Sequence, residues 1–232
     1  MTSAAGVMES TAQSHGARPG SNPRAALQSL RLGPVSNTVA GKLIKENHYL
    51  HSYPASTRIA LGVFLDNCLE GALSLGVGPT MAYRVMEGAS RDDCLALTRF
   101  WLSNALPPNG ASRILGILAR YLKQNTSLKF LITYADPLYG HVGTIYQAAG
   151  WIYIGQSASV PVYEVAGRKF HARSFAHTFG SHSLSYFRNK GIDIKIIPQQ
   201  PKFRYLKVLD PDLANHLTVP ILPYPKMEEI WK

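Results

Sequence analysis

The sequence predicts a mixed α/β fold in which helices pack on a central, largely antiparallel sheet. Two observations predict it: strand-like and helix-like segments alternate along the chain, and the composition is that of a globular protein. Apolar residues make up 46% and charged residues 16% of the 232 residues, which excludes a disordered or fibrous chain. The chain has two cysteines, Cys68 and Cys94, which excludes a disulfide-stapled scaffold and a four-cysteine zinc site.

The length indicates one domain with a full hydrophobic core. Residues 1–37 are rich in Ser, Ala, Gly and Pro, and we predict that they form a flexible N-terminal arm. Residues 38–232 are predicted to form the single domain. The sequence has neither the run of roughly 18 apolar residues that a membrane helix needs nor a secretory signal, so we expect a cytoplasmic protein.

The first predicted elements are a helix and two strands. Apolar spacing predicts a short helix over 38–46, which runs into a polar and aromatic loop. Residues 58–65 and 69–75 are strand-like, and the turn-like Asp66-Asn67-Cys68 joins them as a hairpin. Residues 95–102 predict a third strand. Its alternation places Ala96, Thr98, Phe100 and Leu102 on one face and Leu97, Arg99 and Trp101 on the other.

The second half continues the alternation of helices and strands. Apolar residues recur at i, i+3, i+4 and i+7 over 112–124, which predicts an amphipathic helix. Residues 130–135 predict a buried strand that ends at Asp136-Pro137, and 144–149 predict a short helix that ends at Gly150. Further strands are predicted from 151, over 162–165 and 169–172, and over 192–197 and 203–208.

Most of the excess positive charge lies late in the chain. The net charge is +10, and residues 160–207 combine nine Lys and Arg residues with two acids and eight Phe and Tyr rings. Cations contact phosphates and rings stack on bases, so this composition suits a nucleic-acid surface. A solvated basic face over a second core layer is the alternative. The candidate nucleic-acid contacts are Arg168, Lys169, Arg173, Arg188, Lys190, Lys202 and Arg204.

The order of strand 95–102, turn, amphipathic helix, strand 130–135 and a short helix ending in Ala-Ala-Gly-Trp is similar to the core of the GCN5-related N-acetyltransferase fold. In that fold, backbone N–H groups of the turn hold the pyrophosphate of coenzyme A. The resemblance implies acetyl-coenzyme A or another group donor. It assigns donor binding to Asn109, Gly110, Ser112 and Arg113. The turn departs from the family pattern because it has one glycine and two prolines, which lack N–H groups.

A closer resemblance, from about residue 36 to 208, is to the Mom family of phage DNA-modification proteins. Four motifs carry it: Asn47-His48-Tyr49, the Leu97–Ser103 segment LTRFWLS, Tyr134-Ala135-Asp136 and, above all, the Gly143–Trp151 segment GTIYQAAGW. The resemblance implies a catalytic domain that adds a carbamoylmethyl group to adenine N6 in phage DNA and so blocks host restriction endonucleases. It also implies a phage-encoded enzyme in the host cytoplasm with double-stranded DNA as partner.

The implied chemistry demands particular side chains. Adenine N6 is a poor nucleophile because its lone pair is delocalised into the ring, and inside a duplex it is reached only when the base is extruded. Aromatic rings can hold the extruded base, and Asn can bind its N6/N7 edge. The candidate stacking residues are Tyr49, Tyr53, Trp101 and Tyr146, with Asn47 as reader. The candidate catalytic residues are His48, Tyr49, Arg99, Asp136 and Tyr146.

The product also restricts the donor. A carbamoylmethyl group is attached through a CH₂, whereas acyl transfer from acetyl-coenzyme A would leave an acetyl amide. An unusual donor or a further activation step is therefore needed, and His48, His51 and Asp136 would form the two-His, one-carboxylate set of an Fe(II) site. Hydrogen-bonded loop histidines are the alternative. Arg99 is expected either to pair with an acid such as Asp136 or to bind an anionic ligand.

Two other functions stay open at the level of sequence. One is a conventional acetyl-coenzyme A-dependent N-acetyltransferase that acts on a small amine or a protein. The other is a basic DNA-binding protein without catalysis. We expect no membrane partner, and the sequence leaves open whether the protein is a monomer or a homodimer.

Overall fold

The computed structural model describes residues 27–171, 175, 178–181 and 183–229. Within them the strands are β1 (Arg31–Pro34), β2 (Thr57–Leu65), β3 (Cys68–Gly76), β4 (Cys94–Leu102), β5 (Phe130–Ala135), β6 (Ile152–Gln156), β7 (Val162–Val165), β8 (Arg168–His171), β9 (Lys195–Ile197) and β10 (Phe203–Val208). The helices are α1 (Asn37–Asn47), α2 (Gly110–Asn125), α3 (Thr144–Ala148) and α4 (Leu184–Asn189). No helix in these ranges is long and apolar enough to cross a membrane.

A seven-stranded sheet forms the centre of the fold, in the order β1-β2-β3-β4-β5-β10-β6. Every neighbouring pair is antiparallel except β4 and β5, which are parallel. Alternate strand residues face opposite sides of a sheet. Ala60 and Ala72 accordingly pack on α1, whereas Leu61 and Leu73 lie in the larger core with α2. The prediction of helices on a largely antiparallel central sheet is confirmed.

The apolar stripe of α2 makes it the main helix of the core. Ile114, Leu115, Leu118 and Leu122 are fully buried against the sheet, while Arg120 points to solvent on the opposite side. The stripe thus follows the i, i+3, i+4 spacing that predicted the helix. The helix is two residues longer at its start than predicted, because it begins at Gly110.

The predicted N-terminal arm is too long at its carboxyl end. Strand β1 pairs with β2 from Arg31↔Phe64 to Pro34↔Leu61 and so forms one edge of the sheet. Leu30 is buried in the core directly before this strand. Four residues are too few to show an alternating pattern in the sequence, and only pairing with β2 makes them a strand. Residues 1–26 of the arm lie outside the described residues.

The predicted alternation of β4 is wrong beyond Leu97. Leu75 of β3 lies opposite Leu97, but Ser74 lies opposite Arg99, so Thr98 is an extra residue in β4. Such a β-bulge reverses the alternation of faces that follows it. Phe100 therefore packs with Leu97 on the α2 face, and Arg99 falls on the other face. Hydrogen bonds from the Thr98 hydroxyl to the Ser74 carbonyl (3.0 Å) and between the two hydroxyls (2.8 Å) secure the bulge.

A second sheet, in the order β8-β7-β9, is formed by the part of the chain between β6 and β10. It has its own aromatic core, in which Tyr163 stacks on Phe175 with ring centroids 4.3 Å apart and Phe187 lies alongside. Within the single predicted domain, this small sheet thus has a hydrophobic cluster separate from those of the seven-stranded sheet. We call residues 162–197 the basic protrusion. Its two connections to the main sheet are tied together, since Ser157 N donates to the Lys202 carbonyl at 2.8 Å and Lys202 N donates to the Ser157 hydroxyl at 3.0 Å.

Candidate functional site

The site lies where β4 and β5 separate. Their parallel pairing extends only from Cys94↔Phe130 to Leu97↔Thr133. Beyond this point β4 continues along β3 to Leu102, whereas β5 continues along β10 to Ala135. Each strand then has a free backbone edge facing the other, and the gap between them opens into a cleft.

The cleft has a volume of about 520 Å³, within the range of roughly 300–1,000 Å³ that is typical of small-molecule sites. Four segments line it: 47–49 after α1, 97–102 of β4, 133–135 of β5 and 140–146, which leads into α3. The predicted site residues that it brings together are Asn47, His48, Tyr49, Arg99, Trp101 and Tyr146.

Of the residues predicted for catalysis, base stacking or metal binding, Tyr53, His51 and Asp136 do not line this cleft. Tyr53 packs against Gly41 of α1, and its hydroxyl donates to Asn37 Oδ1 at 2.8 Å. The prediction that Tyr53 stacks on a base is therefore wrong. His51 is exposed, and its Nδ1 forms a hydrogen bond with the Lys45 carbonyl at 3.0 Å.

His48 is a buried, neutral imidazole at the cleft wall. The Leu50 N–H donates to its Nδ1 at 3.1 Å, so the neutral ring carries its proton on Nε2. Burial, followed by the positive charge of Arg99, lowers the pKa of His48 to about 4. The residue therefore enters the cleft as a hydrogen-bond donor at neutral pH and has no free basic nitrogen.

Tyr49 belongs to a row of rings at the cleft mouth. Its ring stacks on His48 with centroids 4.3 Å apart and contacts Tyr139 at 4.5 Å and His141 at 5.1 Å. Burial, followed by the charge of Asp136, raises the pKa of Tyr49 to about 12, so the phenol stays protonated. Tyr139 and His141 are not among the site residues predicted from the sequence; their place directly after a buried strand and Asp136-Pro137 is the signal that could have found them.

Tyr146 lies at the floor of the cleft and is buried. Its hydroxyl is 3.2 Å from the Thr133 hydroxyl, which also donates to the Leu97 carbonyl at the last β4–β5 pair. Burial raises the pKa of Tyr146, which keeps the phenol neutral. Trp151 packs against its ring at 5.3 Å and is fully buried, so the last residue of the GTIYQAAGW motif positions Tyr146.

A steric clash explains why the first residue of this motif is glycine. Gly143 adopts φ +83°, and an added Cβ would lie 2.3 Å from the ring of Tyr205. The Gln147 side chain in turn donates to the Tyr205 hydroxyl at 3.0 Å and approaches the Pro225 carbonyl at 3.2 Å. These contacts hold α3, and Tyr146 with it, against β10.

Arg99 carries an uncompensated charge into the cleft. Its guanidinium donates to the Ser52 carbonyl at 2.9 Å, to the Ser52 hydroxyl at 2.9 Å and to the Thr98 carbonyl at 2.7 Å. In the described part of the chain no carboxylate forms an ion pair with it. Of the two predicted alternatives, pairing with Asp136 is therefore wrong. Two guanidinium N–H groups are left for a ligand, and the charge favours an anionic one.

Asp136 lies beneath the cleft mouth and is buried. It accepts a hydrogen bond from the Leu138 N–H at 3.1 Å and pairs with Lys202 Nζ at 2.6 Å. Both carboxylate oxygens therefore have partners within the protein, and the residue does not line the cleft. Asp136 shapes the loop that carries Tyr139 and His141.

The predicted Fe(II) site is not formed. Among the described residues, no three His, Cys, Asp or Glu side chains are placed to hold a metal ion. The physical reasons are local: His48 Nδ1 accepts from Leu50 N, His51 bonds to Lys45, and Asp136 is neutralised by Lys202. The alternative of hydrogen-bonded loop histidines is confirmed.

A second cavity of about 440 Å³ adjoins the cleft, and Leu102, Thr144 and Ile145 line both. Three of the four predicted donor-binding residues, Asn109, Gly110 and Ser112, line it, whereas Arg113 does not. Asn109 adopts φ +65° directly before α2, no side chain caps the helix, and Gly110 N is used by the Pro107 carbonyl.

The start of α2 therefore leaves the Ala111 and Ser112 N–H groups for a ligand, at the positive end of a long helix. Two donors fit one anionic group, such as part of a pyrophosphate. Pro107 and Pro108 add no further donors.

The basic residues assigned to nucleic acid divide into two groups. Arg168, Lys169, Arg188 and Lys190 are exposed on the basic protrusion. By contrast, Lys202 pairs with Asp136, and Arg204 is half-buried and donates to the Ile154 carbonyl at 2.9 Å. The prediction that Lys202 and Arg204 are free to contact phosphates is therefore wrong. Arg173 lies outside the described residues.

The aromatic residues near these cations do not form the predicted stacking surface. Tyr186 is exposed, with Lys190 Nζ 4.6 Å from its ring centroid. Phe175, Phe187, Phe203 and Tyr205 are buried. The alternative prediction, a solvated basic face over a second core layer, describes this arrangement.

Comparison with known proteins agrees with the motifs around the cleft. The family model of the Mom protein family matches residues 29–226, which include every segment that lines the cleft. The chain belongs to the Mom protein family. A relative within this family is the methylcarbamoylase Mom of Escherichia phage Mu, which is 27% identical over 207 residues, covering 86% of this chain and 85% of the phage Mu protein.

Solved structures similar to this family member include N-acetyltransferases. An aminoglycoside acetyltransferase in complex with coenzyme A is 12% identical, with a TM-score of 0.46, over 78% of this chain and 95% of that one. A spermidine N-acetyltransferase from Vibrio cholerae in complex with coenzyme A and spermine is 9% identical, with a TM-score of 0.45, over 78% and 96%.

Proposed function

We propose that this protein is a DNA-modifying transferase that adds a carbamoylmethyl group to adenine N6 in phage DNA and thereby protects that DNA from restriction endonucleases. Membership of the Mom family and similarity to the methylcarbamoylase of phage Mu support a transferase reaction. The observation that carries the proposal is the cleft between β4 and β5, which gathers aromatic rings, neutral hydrogen-bond donors and the cation Arg99, to which no described carboxylate is paired, in a single cavity.

The rings of the cleft suit a base removed from the duplex. Tyr49, Trp101 and Tyr146 line it, and aromatic side chains hold extruded bases by stacking. Asn47 also lines it, although one of its amide hydrogens is used by the Leu43 carbonyl at 2.9 Å. Its remaining donor and its oxygen are left for the edge of the base.

The polar groups of the cleft suit the stabilisation of negative charge. His48 offers an Nε2–H, Tyr49 and Tyr146 are protonated phenols, and Arg99 is a cation. Preorganised donors of this kind stabilise charge that develops on a carbonyl oxygen or on a leaving group. Asp136 is committed to Lys202. We therefore assign to His48, Tyr49, Tyr146 and Arg99 the activation of the group donor rather than the deprotonation of N6.

The adjoining cavity suits the donor. A donor bound there would supply the transferred group, and the Ala111 and Ser112 N–H groups would hold an anionic part of it. The walls shared by the two cavities bring such a group next to Tyr146.

The test is nucleoside mass spectrometry on plasmid DNA from cells that produce the protein. We expect an adenine nucleoside heavier by one carbamoylmethyl group, together with resistance of the plasmid to several restriction enzymes. Tyr146→Phe should reduce the modified fraction at least tenfold, because it removes the buried hydroxyl but keeps the ring. Tyr121→Phe, on α2 outside the cleft, is the matched control and should leave it unchanged.

Three other results would reject the proposal or favour one of the alternative functions. Unchanged nucleosides in cells that contain the folded protein would overturn it. Acetylation of small amines or proteins from acetyl-coenzyme A, without any modified nucleoside, would identify a conventional N-acetyltransferase. Salt-dependent DNA binding without product in either assay would identify a DNA-binding protein without catalysis.

A further inference from the structure

The loop between β5 and α3 places apolar and aromatic side chains in solvent at the rim of the cleft. Leu138 is 58% exposed and Tyr139 is 44% exposed. The ring of Tyr139 contacts Tyr49, which lines the cleft. Leu138 therefore leaves more than half of its apolar surface outside the core, where it is available to a partner.

The backbone of this loop is held rigidly by its own hydrogen bonds. Asp136 accepts the Leu138 N–H at 3.1 Å through its side chain, and the Tyr139 and His141 N–H groups, each at 3.2 Å, through its carbonyl. Gly140 N closes the turn onto the Pro137 carbonyl at 2.9 Å. The Lys202 ion pair anchors Asp136 to the segment before β10. Leu138 therefore projects from a preformed turn.

The net charge of the chain and the cation in the adjacent cleft favour a nucleic-acid duplex as the partner of this loop. The chain carries a net charge of +10, and Arg99, in the cleft next to the loop, has no acidic partner among the residues that the structure describes. Proteins that kink or open DNA insert apolar side chains, leucine among them, between base steps. A base extruded from a duplex leaves a gap that such a side chain can occupy.

We propose that Leu138 is a wedge that enters the duplex beside the target adenine and occupies the space the base leaves, while the row of Tyr139, Tyr49 and His48 guides the extruded base into the cleft. The proposal rests on the proposed function, since it names the step by which a duplex substrate reaches the cleft. Leu138 acts on the duplex around the target, and the cleft residues act on the base itself.

The test measures base extrusion without the group donor. The full-length protein is mixed with duplexes that carry 2-aminopurine at one adenine position, flanked by randomised bases. We expect the wild type to raise the fluorescence of 2-aminopurine, because unstacking removes its quenching. Leu138→Ala should abolish most of this rise and weaken binding of the matched duplex about tenfold, since the lost wedge no longer offsets the cost of unstacking.

A second duplex separates extrusion from contact. With an abasic site opposite the 2-aminopurine, extrusion is already easy, so Leu138→Ala and wild type should bind within about twofold of each other. Leu138→Phe keeps an apolar wedge and should retain the fluorescence rise. Ile221→Ala removes an apolar residue that is 65% exposed and outside the cleft, and it should behave as wild type throughout.

The results that would contradict the wedge differ from those that would contradict the proposed function. A fluorescence rise with Leu138→Ala equal to that of the wild type, or equal weakening on both duplexes, would overturn the wedge. The absence of any rise with the wild type would also overturn it. In each case nucleoside mass spectrometry on DNA from producing cells decides the proposed function separately.

Discussion

The cleft and the basic protrusion both combine cations with aromatic rings, but they arrange them in opposite ways. In the cleft, the rings of Tyr49 and Trp101 face the cavity, and the cation Arg99 is held by hydrogen bonds. In the protrusion, Phe175 and Phe187 form a buried core, and the cations are exposed. The same residue types therefore build a binding cavity in one region and a charged outer face in the other.

The difference lies in what each sheet can bury. The seven-stranded sheet has two helix-covered faces and a large core rich in aliphatic residues, so two of its rings, Tyr49 and Trp101, can line a gap between strands without being needed in the core. The three-stranded sheet is too small to form an aliphatic core of its own and uses its phenylalanines for that purpose. Lys202 links the two regions, because it lies at the base of the protrusion and pairs with Asp136 under the cleft mouth.

The largest effect is expected from adding a methyl group at Gly143, next to the ring of Tyr205. Gly143→Ala combines strain at φ +83° with a contact of 2.3 Å to the buried ring of Tyr205, so we expect a loss of about 4 kcal/mol in the free energy of unfolding. Denaturant unfolding measures it, and DNA modification should disappear. Gly140→Ala is the control: φ is +73° there, but nothing lies within 4 Å, so about 1 kcal/mol should be lost. Equal losses would contradict the steric account.

The independence of the second core can be tested next. Phe187→Ala should destabilise the protrusion by about 3 kcal/mol, since the side chain is almost fully buried. Hydrogen exchange should show the loss of protection in β7 and β8 while the seven-stranded sheet keeps its protection. Tyr186→Ala, at the exposed neighbouring ring, should leave both regions unchanged. Loss of protection in both sheets with Phe187→Ala would show one cooperative unit.

The buried imidazole of the cleft gives a smaller, pH-dependent effect. The pKa of His48 is about 4 in the folded protein against 6.5 in the unfolded chain, so the unfolded state binds more protons between these values. Its stabilising contribution is complete above about pH 6.5 and is lost as the pH falls toward 4, by on the order of 2 kcal/mol. His48→Gln should remove this part of the pH dependence in denaturant unfolding. Parallel curves for both proteins from pH 7 to 4 would contradict it.

The smallest effects should come from the exposed cations of the protrusion. Arg188→Gln and Lys190→Gln should each weaken binding of all DNA sequences alike and lower the slope of log affinity against log salt by about 0.9 per lost phosphate contact. Titrations at several salt concentrations measure the slope. Arg120→Gln, on the outer face of α2, should leave the slope unchanged. A sequence-dependent loss would indicate base contacts instead.

Much of the fold was predictable because local patterns report burial. The β2–β3 hairpin, the stripe of α2, the buried strand before Asp136 and the short helix around Tyr146 all lie close to their predicted positions. The motifs around His48, Arg99 and Tyr146 also identified the family, and the structure brings these three residues to one cleft.

Tertiary structure alone decided which of these side chains are free to act. The bulge at Thr98 turns Arg99 away from the face that alternation predicts, and Lys202 and Arg204 are engaged within the protein instead of being available to DNA. Tyr139 and His141 join the site through a turn that Asp136 shapes. The reason is that hydropathy and spacing depend on neighbours in the chain, whereas the charge and hydrogen-bond partners of a buried group come from segments far away in sequence.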